Sequence, residues 1–214
     1  MNNNTVIYFT RHAESIANRN GQYPNPNLKP HAFTDAPLSG HGYAQVIENR
    51  YKKLEHLGVA DYIFCSPMKR AMQTCLLTYN NINVDANIYL TSLLIEFDKY
   101  PDCEGRPVTQ IITDPELMTY NNSNKINLDY FWTDNPHQIT GEWYEPGFRY
   151  NLHHRIALFF NIFKDDKFTN KVVHVYSHAG FIGNIPEFNR SIANYNTVKV
   201  TINRDNWTWK CELV

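Results

Sequence analysis

Short apolar runs separated by amphipathic stretches form the main hydrophobic pattern of this chain. Runs rich in β-branched and aromatic residues predict strands at residues 5–9, 61–65, 87–94 and 171–176. Apolar residues at helical spacing predict helices that alternate with these strands, at residues 13–20, 39–57, 66–76 and 148–163. Alternation of this kind is typical of an α/β fold. We therefore expect three α/β/α layers around a mainly parallel central sheet.

Two long segments rich in proline and glycine interrupt the alternation. Residues 21–39 are predicted to form a loop beside the first helix, in the position of a lid. Residues 97–147 are predicted to be an insertion with little regular structure apart from a short helix near 115–120. Alternating residues at 197–203 and 207–213 predict a hairpin. One domain over residues 1–214, carrying the insertion, accounts for the whole pattern.

Composition and charge limit the class of protein. The chain has 214 residues, of which 43% are hydrophobic, and a formal net charge of −1. Such a balance predicts no general affinity for nucleic acid or acidic membranes, and no apolar run is long enough to span a bilayer. The N-terminal residues lack the pattern of a secretory signal. The four cysteines are scattered, so we expect free thiols in a reducing, cytoplasmic compartment: Cys65, Cys75, Cys103 and Cys211.

Polar side chains follow four of the predicted strands at the point where each strand ends. These residues are Arg11 with His12, Arg70, Glu96 and His178. The carboxyl ends of parallel strands meet at one edge of a sheet, so we expect these side chains to converge. Two arginines and two histidines make a site for an anion, and the planar guanidinium suits phosphate oxygens. A carboxylic acid beside them could protonate the oxygen that leaves a phosphate ester.

A metal site is the alternative interpretation of the two histidines. Neither His12 nor His178 has a cysteine or a third histidine nearby in the sequence, so a metal site is the weaker hypothesis. We expect no metal and no cofactor. Ser66, directly after the second strand, is expected to cap the helix that carries Arg70.

The sequence around these residues resembles the histidine phosphatase superfamily, which includes phosphoglycerate mutases and fructose-2,6-bisphosphatases. Residues 11–18 resemble its R-H-G-E-S-x-x-N signature, and residues 66–74 resemble S-P-L-x-R-A-x-Q-T. Residues 35–45 resemble D-x-P-L-[ST]-x-x-G-x-x-Q. Residues 94–105 resemble L-x-E with a downstream E-G, and residues 176–182 resemble V-S-H-G-G-F-I. The matches occur in the family order and leave most of the insertion uncovered.

The resemblance implies a role for each residue of the candidate site. His12 would be the nucleophile that accepts the phosphoryl group. Glu96 would protonate the leaving oxygen and then activate water. Four residues would bind the phosphate oxygens: Arg11, Asn18, Arg70 and His178. Glu14 would be a structural charge near a helix N-terminus.

Several positions depart from the family pattern. Ala13 and Ala179 replace glycines. His178 is followed by alanine instead of the aspartate of the acid phosphatase branch, which leaves the proton donor to Glu96. Three other glutamates could take that role instead: Glu104, Glu142 and Glu145.

Three functions are compatible with this sequence. The first is a metal-independent phosphatase that acts on a small-molecule or peptide phosphate ester. The second is a phosphoglycerate-type mutase, although residues 19–34 lack the tryptophan that mutases usually carry there. The third is a non-catalytic phosphate-binding module, which the full set of catalytic residue types disfavours. The sequence does not identify the substrate or the oligomeric state.

Overall fold

A computed structural model describes residues 3–19, 34–97, 101–132 and 151–214. Its centre is one seven-stranded sheet in the order β4-β3-β2-β5-β1-β6-β7. The strands are β1 Asn4–Arg11, β2 Tyr62–Cys65, β3 Ile88–Leu90, β4 Ile126–Asn127, β5 Val172–Ser177, β6 Thr197–Asn203 and β7 Thr208–Leu213. β1 to β5 pair in parallel, and the β6–β7 hairpin adds two antiparallel strands. The mainly parallel sheet and the hairpin are confirmed.

Helices cover both faces of this sheet. They are α1 Ile16–Arg19, α2 Gly40–Leu57, α3 Lys69–Tyr79, α4 Val108–Ile112, α5 Leu152–Ile162 and α6 Ala179–Gly183. One buried cluster packs α2 and α3 against the sheet through residues such as Val46, Ile63 and Cys75. The other packs α5 against the opposite face through Phe9, Phe64 and their neighbours. The expected three-layer α/β/α architecture is therefore confirmed.

Strand register brings three loops to the same edge of the sheet. β1 pairs with β5 so that Arg11 lies opposite Ser177, and the His12 N–H donates to the Ser177 carbonyl over 2.9 Å. β2 pairs with the other side of β5, and the Ser66 N–H donates to the Tyr176 carbonyl over 2.9 Å. The residues that follow β1, β2 and β5 consequently leave the sheet side by side.

The described residues on the two sides of segment 20–33 lie next to each other. Ser15 forms an isolated antiparallel bridge with Leu38, and the Ile16 N–H donates to the Pro37 carbonyl over 3.0 Å. The predicted lid, residues 21–39, is described only from residue 34 onward.

The start of α3 differs from expectation. Ser66 is not its N-cap, because the helix begins at Lys69 with Met68 in the N-cap position. The Ser66 hydroxyl accepts a long bond of 3.4 Å from the Met68 N–H and also bonds to His178. The Lys69 N–H donates to Asp35 Oδ1 over 2.7 Å, so a residue remote in sequence caps the helix. Asp35 is held in turn by Arg106, whose Nε lies 2.7 Å from Asp35 Oδ2. This ion pair ties the end of the lid segment to the insertion.

Other boundaries of helices and strands differ from the predicted ones by a few residues. β3 ends at Leu90, and a 3₁₀ turn at Ser92–Leu94, capped by the Thr91 hydroxyl, replaces the last part of the predicted strand. α1 is shorter than predicted because residues 13–15 adopt no helix. α5 is described from Leu152, and residues 148–150 lie outside the described residues.

The insertion contains more regular structure than the sequence predicts. Between residues 101 and 132 it contributes α4 and the short strand β4, which pairs with β3. The helix expected near 115–120 is a 3₁₀ turn at Leu117–Thr119. Residues 98–100 and 133–147 lie outside the described residues. None of the described helices is both long enough and apolar enough to traverse a membrane.

Candidate active site

A cavity of about 190 Å³ lies at the edge of the sheet where β1, β2 and β5 end. It is lined by Arg11, His12, Asn18, Arg70, Glu96, Phe97, Asp102, Cys103, Ala179 and Gly180. The remaining predicted residue, His178, places its ring centroid 5.1 Å from that of His12. The structure thus brings together every residue of the predicted site.

His12 is buried, with 2% of its surface exposed. Its Nδ1 lies 2.7 Å from the carbonyl of Ala13, which can only accept, so we assign the ring proton to Nδ1. Nε2 then carries the lone pair and accepts a hydrogen bond from Arg70 Nε over 3.2 Å. Burial, followed by the charges of Arg70 and Arg11, holds the pKa of His12 well below its ordinary value. The imidazole is therefore neutral, with Nε2 available as a nucleophile.

The backbone around His12 is fixed from two sides. The Ala13 N–H donates to the Thr74 hydroxyl on α3 over 3.0 Å. From the other side, Asn194 Nδ2 lies 3.1 Å from the His12 carbonyl and 3.1 Å from Asn18 Oδ1. Asn194 thereby links the candidate nucleophile to Asn18. No motif in the sequence pointed to Asn194.

The two arginines of the cavity have different partners. Arg11 Nη1 donates to the Ile192 carbonyl over 2.8 Å, and its buried Nε has no partner among the described residues. Arg70 Nη1 donates to the Asp102 carbonyl over 2.5 Å, and its Nη2 lies 4.0 Å from Asp102 Oδ2. Desolvation lowers the pKa of Arg11, whereas Glu96 raises it. Both guanidinium groups are thus placed to meet an anion.

Asp102 is a site residue that sequence reasoning missed. It lines the cavity from the insertion, with 6% of its surface exposed. The rival proton donor Glu104 lies nearby in sequence but does not line the cavity, and its carbonyl accepts from the Asp35 N–H over 3.0 Å. Glu142 and Glu145 lie outside the described residues. The only available signal for Asp102 was its closeness in sequence to Glu104.

His178 is fully buried beside His12. Its Nε2 lies 2.8 Å from the Ser66 hydroxyl. Its Nδ1 is buried and has no partner among the described residues. Burial, with the charges of Arg70 and His12, lowers the pKa of His178 well below its ordinary value. Nδ1 of His178 and Nε of Arg11 are two unpaired polar atoms that a bound oxyanion could satisfy.

Glu96 is held in the cavity by two backbone N–H groups. Gly180 N–H donates to Oε2 over 3.2 Å, and Phe97 N–H donates to Oε1 over 3.1 Å. Burial raises the pKa of Glu96, although the Gly180 N–H and Arg70 oppose this rise. A raised pKa suits a carboxyl group that must deliver a proton near neutral pH.

Two further residues make room for Glu96 and position its backbone. A Cβ atom on Gly180 would lie only 2.1 Å from Glu96 Oε1 and 2.4 Å from the Phe97 ring, so a larger residue there would displace both side chains. The fully buried Arg155 donates from Nη1 to the carbonyls of Leu93 and Ile95, each over 2.8 Å. Arg155 fixes the turn before Glu96, and no sequence pattern had indicated it.

Glu14 and the motif at residues 35–45 have structural roles at this edge. Glu14 Oε1 accepts from the Ser39 hydroxyl over 2.6 Å, and its N–H donates to Gln45 Oε1 over 3.2 Å. A Cβ on Gly42 would lie 2.1 Å from the Glu14 carbonyl oxygen. These contacts dock the start of α2 onto the loop that carries His12.

Clusters that could hold a metal ion are absent from the described part of the chain, where no three His, Cys, Asp or Glu side chains come together in a suitable arrangement. The charges in the described cavity come from arginine, histidine and carboxylate side chains.

Solved structures share this fold at low identity. A phosphoglycerate mutase from Bacillus anthracis is 16% identical with a TM-score of 0.59, and the match covers 100% of this chain and 93% of that one. A mycobacterial glucosyl-3-phosphoglycerate phosphatase is 11% identical with a TM-score of 0.54, covering 98% and 97% of the two chains. The protein histidine phosphatase SixA, solved with tungstate, is 11% identical with a TM-score of 0.51, covering 98% and 94%.

A search of curated proteins finds no match. The family model of the histidine phosphatase superfamily (branch 1) matches residues 7–185, which include every residue of the candidate site. This chain belongs to the histidine phosphatase superfamily.

Proposed function

We propose that this protein is a phosphomonoester phosphatase that works through a phosphohistidine on His12. The observation that carries the proposal is the state of the His12 ring. Nδ1 lies 2.7 Å from the Ala13 carbonyl, which assigns the proton to Nδ1 and leaves Nε2 with a lone pair in a cavity that two arginines line. A neutral imidazole beside guanidinium groups is suited to attack a phosphate ester that those groups have bound.

The first half of the reaction forms the covalent intermediate. His12 Nε2 attacks phosphorus, a P–N bond forms and the P–O bond to the leaving group breaks. Glu96, in its protonated form, gives its proton to the leaving oxygen, so an alcohol departs. Arg70 Nε must release Nε2 before the attack, and its guanidinium then turns to the phosphoryl oxygens.

The second half regenerates the enzyme. Glu96, now a carboxylate, takes a proton from water as the water oxygen attacks phosphorus. The P–N bond breaks, inorganic phosphate leaves and His12 recovers its neutral imidazole. Glu96 ends the cycle protonated, so protons balance over the two steps.

Phosphate binding is assigned to the residues that surround His12. Arg11 and Arg70 supply positive charge that cannot be titrated away near neutral pH. His178 and Asn18 complete the set, with Asn194 fixing Asn18. Because these residues supply the stabilising charge, the mechanism needs no metal ion and no cofactor.

The substrate is proposed to be a small-molecule or peptide phosphate ester. A cavity of about 190 Å³ holds a phosphate group and little of the leaving group. The rest of the substrate would contact the cavity rim, including Phe97 and Cys103. We propose a cytoplasmic enzyme with no nucleic acid or membrane partner, in line with its charge balance.

The proposal is tested with p-nitrophenyl phosphate and a panel of sugar phosphates, nucleotides and phosphopeptides. We expect phosphate release by the wild type and by His153→Ala, a matched control whose histidine is exposed on α5. His12→Ala should be inactive while keeping its fold by circular dichroism. Rapid acid-free quenching should trap phosphate on the wild type in an acid-labile, base-stable bond. Turnover by His12→Ala would refute the mechanism.

A mutase is distinguished by its substrate requirement. The protein is incubated with 3-phosphoglycerate, with and without 2,3-bisphosphoglycerate, and the products are separated. We expect no 2-phosphoglycerate under either condition. Formation of 2-phosphoglycerate would show that the protein is a phosphomutase that uses the same His12.

A further inference from the structure

β7 lies at the edge of the sheet, two strands from β1. Among the described residues, only β6 pairs with it. Every residue of β7 is exposed or half-buried. An edge strand without proline presents a row of N–H and C=O groups that another strand can pair with.

The hydrogen bonds between β6 and β7 define which backbone groups face outward. Val214 N–H donates to the Thr197 carbonyl over 3.0 Å, and hydrogen-bonded pairs alternate with non-hydrogen-bonded pairs along an antiparallel ladder. Lys210 and Glu212 therefore direct their backbone groups inward, toward β6. The outward-facing backbone groups belong to Trp209, Cys211 and Leu213.

We propose that this chain forms a homodimer in which two β7 strands pair antiparallel about a two-fold axis at Cys211. Only outward-facing residues can form the hydrogen-bonded pairs of such a junction, and Cys211 is the middle one. With Cys211 opposite Cys211 of the second copy, the two sheets continue into one another.

The charges of β7 are self-complementary in this register. Lys210 lies opposite Glu212 of the second copy, in a non-hydrogen-bonded pair, where side chains approach most closely. The symmetry repeats the pair on the other side of the axis. Glu212 already bonds to Lys199 on β6, with Nζ and Oε1 3.0 Å apart, so charges alternate across the junction. Centring the axis on Trp209 instead would place Lys210 opposite Thr208 and lose both pairs.

An apolar groove beside the edge accepts a side chain that the same register brings to it. Leu213 is 55% exposed and would lie opposite Trp209 of the second copy, on the same face of the joined sheet. Trp209 stacks on Phe160 with ring centroids 5.3 Å apart. The two rings belong to a groove of about 590 Å³, lined also by Ala157, Asn161, Lys164, Ile202 and Trp207.

The groove matters because strand pairing alone buries little surface. Stable interfaces bury roughly 1,200 Å² or more in total. Two grooves, each receiving a leucine and flanked by the 36% exposed Trp207, add apolar area on both sides of the axis.

Sedimentation equilibrium of the full chain tests the proposal. We expect the wild type to be a dimer. Lys210→Glu places glutamate opposite Glu212 at both symmetric positions, and should raise the dimer dissociation constant on the order of tenfold or more. The triple variant Lys199→Glu/Lys210→Glu/Glu212→Lys inverts the two charges together with that of Lys199, the partner of Glu212 on β6, and should restore the dimer. Lys52→Glu, the same charge change at an exposed position of α2, should leave the dissociation constant unchanged.

Three results would overturn the proposal, given circular dichroism showing that each variant is folded. The wild type could be a monomer at all concentrations up to the millimolar range. Lys210→Glu could dimerise as tightly as the wild type, which would place the interface elsewhere. The triple variant could remain as weak as Lys210→Glu, which would exclude the Cys211-centred register.

Discussion

Arg70 Nε donates a hydrogen bond to His12 Nε2 over 3.2 Å. The arginine proposed to bind phosphate therefore also covers the lone pair of the proposed nucleophile. The same guanidinium reaches the carbonyl of Asp102 through Nη1. Arg70 thus lowers the pKa of His12, in addition to the larger effect of burial, and lines the proposed phosphate site.

Replacing Arg70 by glutamine should reduce kcat/KM for p-nitrophenyl phosphate by about 10²–10³, as for the loss of one charge-stabilising donor. Arg70 lowers the pKa of His12, so its removal should raise that pKa. The acid limb of the pH profile of kcat/KM should therefore move to higher pH. Arg190→Gln, an exposed control, should leave the profile unchanged. A reduced rate with an unmoved acid limb would argue against the coupling to His12.

Glu96→Gln should lower kcat by about 10²–10⁴ for alkyl phosphates, whose leaving oxygen needs a proton. The effect on the first step should be much smaller for p-nitrophenyl phosphate, because p-nitrophenolate leaves without protonation. Burst kinetics with both substrates would measure the difference. Glu104→Gln is the matched control and should behave like the wild type. Equal burst rates for the wild type and Glu96→Gln on an alkyl ester would assign the acid role to another residue.

Gly180→Ala should displace Glu96, since the new Cβ would lie 2.1 Å from Oε1. We expect alkyl phosphatase activity to fall toward that of Glu96→Gln, with about 1–3 kcal/mol lost from the free energy of unfolding. Gly40→Ala, where no atom lies within 4 Å of the added Cβ, should keep full activity. Urea unfolding and steady-state rates measure both. Wild-type activity in Gly180→Ala would show that Glu96 need not occupy its present position.

Buried histidines should make the protein sensitive to acid. Burial lowers the pKa of His174 to about 4. Because folding depresses this pKa, the unfolded chain binds a proton at a higher pH than the folded protein does. The free energy of unfolding therefore falls as the pH drops from about 6.5 to 4. The loss attributable to His174 is on the order of 3 kcal/mol. The lowered pKa values of His12 and His178 act in the same direction.

Urea unfolding at pH 7.5 and pH 4.5 tests this expectation. His174→Gln, which cannot gain the proton but can still bond to the Tyr79 hydroxyl, should lose less stability than the wild type over this interval. His153→Gln, exposed on α5, should lose as much as the wild type. Identical losses for all three proteins would show that His174 does not govern acid sensitivity.

The sequence predicted the central sheet and the convergence of site residues because both follow from strand order. Arg11, His12, Arg70 and His178 directly follow or open elements that hydrophobic runs locate well. Parallel pairing then places their loops together. Glu96 also reaches the cavity, although the strand before it ends four residues earlier than expected, at Leu90.

Long-range contacts were the part that local patterns could not supply. Asp35 caps α3 by accepting from the Lys69 N–H, 34 residues later in the chain, whereas the local pattern had indicated Ser66 as the cap. Arg155, Asn194 and Asp102 reach the site from elements whose sequence patterns indicate only their secondary structure or none. Their contribution depends on tertiary packing, and no spacing rule encodes it.

The bridge between Ser15 and Leu38 marks a position where the number of residues in the chain can vary. The chain departs and returns through neighbouring backbone hydrogen bonds, so residues added between these points do not change the separation of the anchors. Doubling the length of such a loop costs only about 0.6 kcal/mol in closure entropy. The number of residues between these anchors can therefore change while Arg11, His12 and Asn18 keep their places in the cavity.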